Sequence, residues 1–314
     1  MTGKNRPSII AIIGPTASGK SGLAIALAKK VNGEVVSADS RQVYKGLTIG
    51  TGKVTKKEMR GVPHHLLDIA SPKKQISVEE WRKKAEKIIA DIHKRGKIAI
   101  ICGGTGLYVD SLLRGLSFPE VSPNLKLRKV LEKKSVASLF AMLQKLDPRR
   151  ASEIDQHNPR RLIRAIEIAR ALGKVPPRAT LGGKGGLYHV IWVGINPSDA
   201  VLQKRIHERL LVRMKQGMVH EAQTLHAQGL TYKRMRELGL EYRFLADVLE
   251  KKLTKKEMLE GLESAIWQYA KRQRTWWKRH ADITWYTKPH DRTIVHQVRL
   301  LLQKKTSTSK RAGK

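Results

Sequence analysis

The chain has 314 residues, 40% of them hydrophobic, which is enough for one large domain or two smaller ones. Its 62 lysines and arginines outnumber 27 acidic residues and give a formal net charge of +35. This excess favours polyanions as partners, although a basic surface can also serve solubility alone. A single cysteine, Cys102, excludes an internal disulfide framework and a cysteine-rich zinc module.

The compartment expected from the sequence is the reducing cytosol. The first seven residues are polar and the apolar run after them is short, unlike a secretory signal. No apolar stretch approaches the roughly 20 residues that span a bilayer. We therefore expect a cytoplasmic protein that makes no membrane contact and acts as a monomer.

The first predicted elements form a strand, a glycine-rich loop and a helix. Ser8–Ile13 is a short apolar run rich in β-branched residues, which favours a strand buried on both faces. Residues 22–31 have apolar side chains at helical spacing. The loop between them matches the pattern GxxxxGK[ST] in full and consists of Gly14, Pro15, Thr16, Ala17, Ser18, Gly19, Lys20 and Ser21.

This loop has the chemistry of a phosphate site. Its glycines allow backbone N–H groups to curl around phosphate oxygens, Lys20 adds a point charge, and the Ser21 hydroxyl can hold Mg²⁺. The positive end of the helix dipole lies beside it. The sequence therefore predicts a phosphate-bearing ligand, without saying which one.

Strands and helices continue to alternate up to residue 118. A second strand is predicted at 34–38, an amphipathic helix at Val78–Lys94 and a third strand at 97–102. This alternation predicts an α/β fold, a P-loop NTPase-like parallel sheet flanked by helices.

An inserted helical subdomain is predicted next, because strand signals stop between residues 119 and 186. Helices are predicted at 125–134, 137–146 and Pro159–Leu172, and the glycines of 182–186 indicate a flexible joint. Strand character returns at 188–195, and the chain is then helical to about residue 279. We expect a catalytic core of 1–118 plus 187–303, an insertion of 119–186, and an unstructured basic tail of 304–314.

The phosphate loop alone is compatible with a kinase or another nucleotide triphosphatase. Such enzymes normally place a metal-binding carboxylate at the end of another apolar strand. Here the run 97–102 ends in Cys102 and is followed by Gly103, and the nearest strand-end carboxylate is Asp39. The missing aspartate weakens the triphosphatase interpretation.

At this point the sequence resembles the tRNA dimethylallyltransferases, also called isopentenyltransferases, of the bacterial type. The matching blocks appear in the family's order and span nearly the whole chain: GPTASGKS at 14–21, SADSRQVYKGLTIGTGK at 37–53, GVPHHLLDI at 61–69, GGTGLYV at 103–109, NPRRLIRAIEI at 158–168 and YAKRQRTWW at 269–277. The resemblance implies transfer of a dimethylallyl group from dimethylallyl diphosphate to N6 of adenosine 37, beside the anticodon. In that family the loop is thought to hold the donor's diphosphate.

The resemblance also implies catalytic roles. Asp39 corresponds to the general base that faces the adenine amine, with a helix cap or a metal ligand as the alternative. Thr105 corresponds to a residue at the reaction centre, or is a simple turn threonine. Lys20, Mg²⁺ and an arginine would stabilise the departing diphosphate. Arg209 is our candidate for that arginine, with Arg205 one helical turn before it and a solvated helix face as the alternative.

A further set of residues corresponds to the tRNA-binding part of the family, with the anticodon stem-loop as the partner. Arginine clusters position RNA by neutralising phosphates, and interleaved aromatic and basic residues suit stacking on splayed bases. The set comprises Asp39, Ser40, Arg41, Gln42, Arg128, Arg160, Arg161, Leu162, Ile163, Arg164, Lys271, Arg272 and Arg274. For the Trp276–Trp277 pair, packing of at least one indole into the core is the favoured interpretation.

Three rival functions remain open at this stage. A small-molecule kinase shares the loop and the sheet, and an adenylate isopentenyltransferase performs the same chemistry on a free nucleotide. A non-catalytic RNA-binding protein would tolerate a degenerate loop, but all loop residues are intact here. The basic excess and the inserted arginine helix favour tRNA over a free nucleotide.

Overall fold

The structure, a computed structural model, describes residues 6–116, 118–177, 187–290 and 292–311. Within these residues the backbone forms six strands: β1 (Ser8–Ile13), β2 (Gly33–Ser37), β3 (His64–His65), β4 (Ile98–Gly103), β5 (His189–Ile195) and β6 (Thr284–Tyr286). The same residues form fourteen helices: α1 (Lys20–Val31), α2 (Lys56–Met59), α3 (Val78–Lys94), α4 (Gly106–Leu113), α5 (Leu125–Leu131), α6 (Val136–Leu146), α7 (Pro148–Glu153), α8 (Pro159–Leu172), α9 (Asp199–Lys215), α10 (Met218–Ala227), α11 (Tyr232–Leu238), α12 (Leu240–Leu249), α13 (Lys255–Trp277) and α14 (Arg292–Arg311). None of these helices combines the length and the apolar character needed to cross a bilayer.

The strands form one sheet in the order β3-β2-β4-β1-β5-β6, and every pairing is parallel. Strand β1 lies between β4 and β5, with Ile9 opposite Ala99 on one side and Val190 on the other. Because all strands point the same way, the loops after β1, β2 and β4 leave the same edge of the sheet. The predicted fold class is confirmed.

Strand β1 shows why the sheet is covered on both faces. Side chains alternate along a strand, so Ile9, Ala11 and Ile13 enter one hydrophobic core while Ile10 and Ile12 enter the other. All five are completely buried. The second core is closed by α1 and α14, and the first by α3, α4 and the helices from α9 to α13.

Helix boundaries follow local capping signals. Helix α3 begins after Ser77, whose hydroxyl accepts from the Glu80 amide while the Glu80 side chain accepts from the Ser77 amide. Helix α8 begins after Asn158, whose side chain accepts from the Arg161 amide, with Pro159 in the first turn. These signals are short-range, which is why the predicted bounds of both helices agree with the structure.

The chain divides into two compact units. One comprises Met1–Gly115 and Lys184–Lys314, and the other comprises Leu116–Gly183. The second unit has its own hydrophobic core, which includes Leu131, Leu139 and Leu143. These bounds lie close to the predicted insertion of 119–186; the predicted joint at 182–186 lies outside the described residues.

Two features differ from the sequence-based expectation. Strands β3 and β6 are absent from the prediction because two and three residues are too few to show alternation. Helix α14 continues to Arg311, whereas an unstructured tail is predicted from residue 304. Its apolar residues Ile294 and Val298 are buried on the sheet's second face, so the helix is anchored well before that point.

Candidate active site

The phosphate loop connects β1 to α1, as the strand–loop–helix pattern predicts. Gly14 has φ +141°, and a Cβ at this position would lie 2.2 Å from the Ile195 carbonyl oxygen. Residue 14 must therefore be glycine for the loop to pass β5 so closely. Helix α1 begins at Lys20, so its first amides, which have no partner within the helix, are available to an anion.

Lys20 folds back onto its own loop. Its Nζ donates to the Pro15 carbonyl oxygen and lies 3.4 Å from Ser18 Oγ. Burial, joined by the positive charge of Arg209, lowers the pKa of Lys20 to about 8, although Cys102 and Asp39 act in the opposite direction. The lysine is therefore a partly buried cation whose charge an incoming phosphate would stabilise.

Two arginines of α9 lie beside the same loop. Arg205 Nη1 donates to the Ser18 carbonyl oxygen at 3.1 Å. The guanidinium of Arg209 rests on Gly52, where a Cβ would lie 2.8 Å from Arg209 Nη2. The charge of Arg209 also acts on Lys20, which places Arg209 near the phosphate loop, whereas Arg205, one turn earlier, touches the loop directly.

Asp39 follows β2 at the edge of the sheet where the phosphate loop lies. Its Oδ1 accepts from the backbone amides of Arg41 at 2.8 Å and Gln42 at 3.3 Å. One carboxylate oxygen therefore caps a turn, which is related to the helix cap considered as the alternative but involves no helix. The cap also fixes the direction of the carboxylate, so capping and proton transfer are compatible.

Thr105 follows β4 and lies between the Asp39 turn and α13. Its Oγ1 accepts from the Ser40 amide at 3.1 Å, and its hydroxyl lies near that of Tyr269. Burial, with a contribution from the Asp39 charge, raises the pKa of Tyr269 to about 12. Tyr269 therefore keeps its proton at neutral pH.

A cavity of about 570 Å³ opens at this edge of the sheet. Thr16 of the phosphate loop, Asp39 and Tyr269 contribute to its wall. Three cations, Arg41, Arg243 and Arg272, also line it, and the part of the chain that the structure describes contains no ion-pair partner for any of them. The cavity wall therefore carries three unpaired cations and the Asp39 carboxylate, together with a second carboxylate, Glu241, that is paired with Arg213.

The helical unit requires corrections to the predicted tRNA-binding set. Leu162 and Ile163 are buried in its core, so their side chains stabilise the unit and are not available to RNA. Arg160 and Arg161 are exposed, which keeps them as candidates.

Arg128 and Arg164 also form ion pairs within the helical unit. Arg128 binds the buried carboxylate of Glu167 through Nε at 2.8 Å and Nη2 at 2.7 Å. Arg164 lies 3.3 Å from the same carboxylate and donates to the Val121 carbonyl oxygen. Burial alone would raise the pKa of Glu167, but these partners and the Asn124 amide lower it. Both arginines hold a buried acid, a role that a count of arginines in sequence cannot reveal.

Helix α13 also combines predicted and unpredicted roles. Lys271 and Arg272 are exposed, as expected of RNA ligands. Arg274 instead pairs with Asp199 and donates to the Pro197 carbonyl oxygen, so it holds the start of α9. Trp277 is fully buried, which confirms that at least one indole of the pair packs into the core.

Gln273 was not identified from the sequence. It is buried, with 6% exposure, and bonds to both the phosphate loop and the loop after β4. The available signal was its helical spacing of four residues from Tyr269, which places both on one face of α13.

The donor set for a divalent cation is sparse. Strand β4, the neighbour of β1, ends in Cys102 and Gly103 without a carboxylate, and no group of three His, Cys, Asp or Glu residues within the described ranges could hold a metal. Ser21 offers one hydroxyl at the start of α1. This arrangement fits Mg²⁺ that arrives with phosphate oxygens and keeps several waters, and it does not fit a resident ion held by the protein alone.

Comparisons with known proteins agree with this arrangement. A family model described as IPP transferase matches residues 42–280. The chain is 38% identical over 296 residues to the tRNA dimethylallyltransferase of Anoxybacillus flavithermus, with 94% of both chains covered. It is 42% identical over 272 residues to tRNA dimethylallyltransferase 1 of Geotalea daltonii, with 87% of both covered.

Solved structures show the same relationship. The full-length tRNA isopentenylpyrophosphate transferase of Bacillus halodurans aligns with a TM-score of 0.72 and 33% identity, covering 98% of this chain and 99% of that one. A eukaryotic dimethylallyltransferase solved acting on tRNA aligns with a TM-score of 0.77 and 27% identity, covering 91% of this chain and 74% of that one. The resemblance inferred from the motifs is confirmed, and the chain belongs to the IPP transferase family, the family of the tRNA dimethylallyltransferases.

Proposed function

We propose that this protein transfers a dimethylallyl group from dimethylallyl diphosphate to N6 of the adenosine on the 3′ side of the tRNA anticodon. The observation that carries the proposal is the meeting of three loops, after β1, β2 and β4, beside one cavity. They bring a phosphate site, a carboxylate and a hydroxyl together. Family membership supports the same reaction.

The donor's diphosphate would occupy the loop from Gly14 to Ser21. The amides at the start of α1 and the Lys20 ammonium would bind its oxygens, displacing Lys20 from the Pro15 carbonyl. Arg205 and Arg209 add positive charge beside the loop. Mg²⁺, held by Ser21 and the diphosphate, would neutralise part of the charge on the departing group.

The acceptor base would enter the cavity from the side lined by Arg41, Arg243 and Arg272. Adenine N6 is shielded while the base is stacked, so the nucleotide must leave the anticodon loop first, and an unpaired loop base costs least to extrude. Cations at the cavity can bind the phosphates that flank an extruded base. Binding of one polyanionic RNA would thus explain why Arg41, Arg243 and Arg272 have no ion-pair partner within the described residues.

The chemical step exchanges one bond for another. The N6 amine forms a bond to C1 of the dimethylallyl group, and the bond from C1 to the diphosphate oxygen breaks, with its electron pair leaving on the diphosphate. The alkylated nitrogen must then lose a proton, which Asp39 accepts. The amides of Arg41 and Gln42 hold that carboxylate in place, and Thr105 with Tyr269 orders the turn beside it.

The helical unit contributes a second set of cations. Arg160 and Arg161 at the start of α8 are exposed and suit contact with RNA phosphates. We assign to them positioning of the tRNA without base recognition. The proposal further takes the enzyme to act as a monomer in the cytoplasm, where tRNA is available.

The test uses purified protein, labelled dimethylallyl diphosphate, Mg²⁺ and bulk unmodified tRNA, followed by nucleoside analysis. We expect label in N6-dimethylallyladenosine, and none when guanosine replaces the adenosine beside the anticodon. Absence of transfer to tRNA, together with brisk ATP hydrolysis, would replace the proposal with a kinase-like function. Transfer to AMP in preference to an anticodon stem-loop would identify an adenylate isopentenyltransferase instead.

A further inference from the structure

The side-chain amide of Gln273 connects two loops that are far apart in sequence. Its Oε1 accepts from the Thr16 amide of the phosphate loop at 2.8 Å, and its Nε2 donates to the Gly104 carbonyl oxygen at 3.0 Å. A Cβ at residue 104 would lie 2.1 Å from Gln273 Nε2, so this approach requires glycine there. The bridge joins the end of β1 to the end of β4 through a group contributed by α13.

Neighbouring side chains on the same face of α13 hold the second loop from either side. Tyr269, one turn before Gln273, lies beside Thr105. Trp276, one turn after it, donates from Nε1 to the buried carboxylate of Asp110 at 2.9 Å and packs directly on Gly106. Residues 269, 273 and 276 recur at helical spacing, so the helix presents them as one surface. We call Tyr269, Gln273 and Trp276 the α13 brace.

The two loops joined by the brace have different tasks in the proposed reaction, on which this inference rests. The phosphate loop holds the donor, whereas Thr105 orders the Asp39 turn that faces the acceptor amine. Attack of N6 on C1 needs the two reactants in line, and a misplacement of about 1 Å can cost roughly 10²-fold in rate. The distance between these loops therefore affects the rate directly.

We infer that Gln273 is a positioning residue that sets the spacing of the donor and acceptor loops. It touches neither substrate, and it acts through the backbone at Thr16 and Gly104. Its contribution belongs to the chemical step and not to the affinity for either substrate.

The first test is Gln273→Met, which keeps the size of the side chain and removes both hydrogen bonds. We expect kcat for dimethylallyl transfer to fall by roughly 10²-fold, the cost of misaligned reactants. KM for dimethylallyl diphosphate and the Kd for tRNA should stay close to their wild-type values. Gln223→Met, at an exposed glutamine of α10, is the matched control and should keep the wild-type kcat. A normal kcat in Gln273→Met, or a loss confined to donor KM, would overturn the inference.

The second test, Gln273→Glu, distinguishes positioning from mere structural support. An ionised carboxylate can accept from the Thr16 amide, but its other oxygen would face the Gly104 carbonyl oxygen and repel it. A protonated carboxyl can donate to that carbonyl and restore the bridge. Because burial raises the pKa of a carboxyl group, a substantial protonated fraction is expected near neutrality.

The readout is the ratio of variant to wild-type kcat, measured from about pH 8.5 down to about pH 6, over which a buried carboxyl group gains its proton. We expect this ratio to rise by roughly tenfold or more over the whole range as pH falls, with a slope of at most roughly tenfold per pH unit for a single proton. Gln273→Met should show no such rise. If the ratio for Gln273→Glu does not change with pH, the positioning role of Gln273 is refuted. This holds whether or not Gln273→Met has a folding defect. Wild-type transfer in the same assay separates this failure from failure of the proposed function.

Discussion

Asp39 performs two tasks with one side chain. Its Oδ1 caps the turn through the amides of Arg41 and Gln42, and the residue also lines the cavity. A substitution that removes the side chain would therefore disturb the turn as well as the chemistry. The amide of asparagine can accept the same two hydrogen bonds but is a far weaker base.

Asp39→Asn should consequently lower turnover by roughly 10²-fold or more, the usual contribution of a positioned acid–base group. Affinity for tRNA should change little, because the turn that carries Arg41 stays capped. Single-turnover transfer and a tRNA-binding measurement on the same preparation check this. Equal turnover in the variant would remove Asp39 from proton transfer.

Lys20 makes donor binding dependent on pH. Its pKa is lowered to about 8, mainly by burial. Below this value the lysine is already charged and can bind diphosphate; above it, binding must take up a proton, so affinity falls as pH rises. The direction is set by the lowered pKa, since an ordinary lysine would remain charged over the same range.

We therefore expect affinity for dimethylallyl diphosphate to weaken from about pH 8 to about pH 9.5, by at most roughly tenfold per pH unit. Isothermal titration with the donor at several pH values measures the slope. Lys20→Met should bind the donor more weakly and lose the dependence. If Lys20→Met keeps the same pH dependence of donor affinity, a group other than Lys20 is titrating.

At the scale of single elements, helix α8 shows that five consecutive residues can have different roles. Arg160 and Arg161 are exposed, Leu162 and Ile163 are core residues, and Arg164 supports buried Glu167. The helical period decides this, because successive residues are rotated by about 100° around the axis. Of the three predicted RNA-binding arginines in α8, Arg160 and Arg161 remain candidates.

The double substitution Arg160→Ala with Arg161→Ala should weaken tRNA binding and reduce the slope of log affinity against log salt by about one per lost phosphate contact. Thermal stability should be nearly unchanged, since both side chains are exposed. Arg170→Ala, at an exposed arginine near the end of the same helix, tests whether the effect belongs to the first turn. An unaltered salt slope in the double variant would reject this part of the RNA interface.

Arg128→Ala provides the opposite pattern for comparison. It removes the bidentate partner of Glu167, which is buried. The free energy of unfolding should fall by roughly 1–3 kcal/mol, the cost of a buried polar group that loses hydrogen bonds. Thermal unfolding followed by circular dichroism measures this loss, and the salt slope of tRNA binding should remain unchanged.

At the scale of the whole molecule, the net charge of +35 gives any interaction with tRNA a strong electrostatic component. Part of the positive charge is paired within the protein, as with the arginines bound to Glu34, Glu167 and Asp247. Within the described residues, the cations around the cavity have no ion-pair partner, and Arg160 has none either. Binding strength therefore depends on the subset left available and not on the total.

Affinity for tRNA should fall by roughly 10³-fold or more between about 50 and 200 mM salt, if six or more phosphates are neutralised. Turnover at saturating tRNA should change much less, because the cavity chemistry does not depend on counterion release. Binding and turnover titrations at several salt concentrations check both statements. A salt-independent affinity would exclude the phosphate backbone as the main ligand.

The sequence by itself determined the features that depend on neighbouring residues. The phosphate loop, the caps of α3 and α8 and the position of Asp39 after β2 all rest on residues close together in the chain, and the composition of Ser8–Ile13 alone indicated a strand buried on both faces. Family motifs then linked these local features to a reaction. Such features can be predicted from the sequence because the residues that interact are close together in the chain.

The tertiary structure alone decided which of these groups meet and which charges remain available. Gln273 lies more than 150 positions from both of its partners, Thr16 and Gly104. Tyr269 reaches Thr105 only because α13 packs against α4 and the first core. Likewise, Arg274 is committed to Asp199, while Arg272, two residues earlier, lines the cavity. Long-range packing sets these pairings. Neither the composition nor a sequence motif determines the distance between two loops.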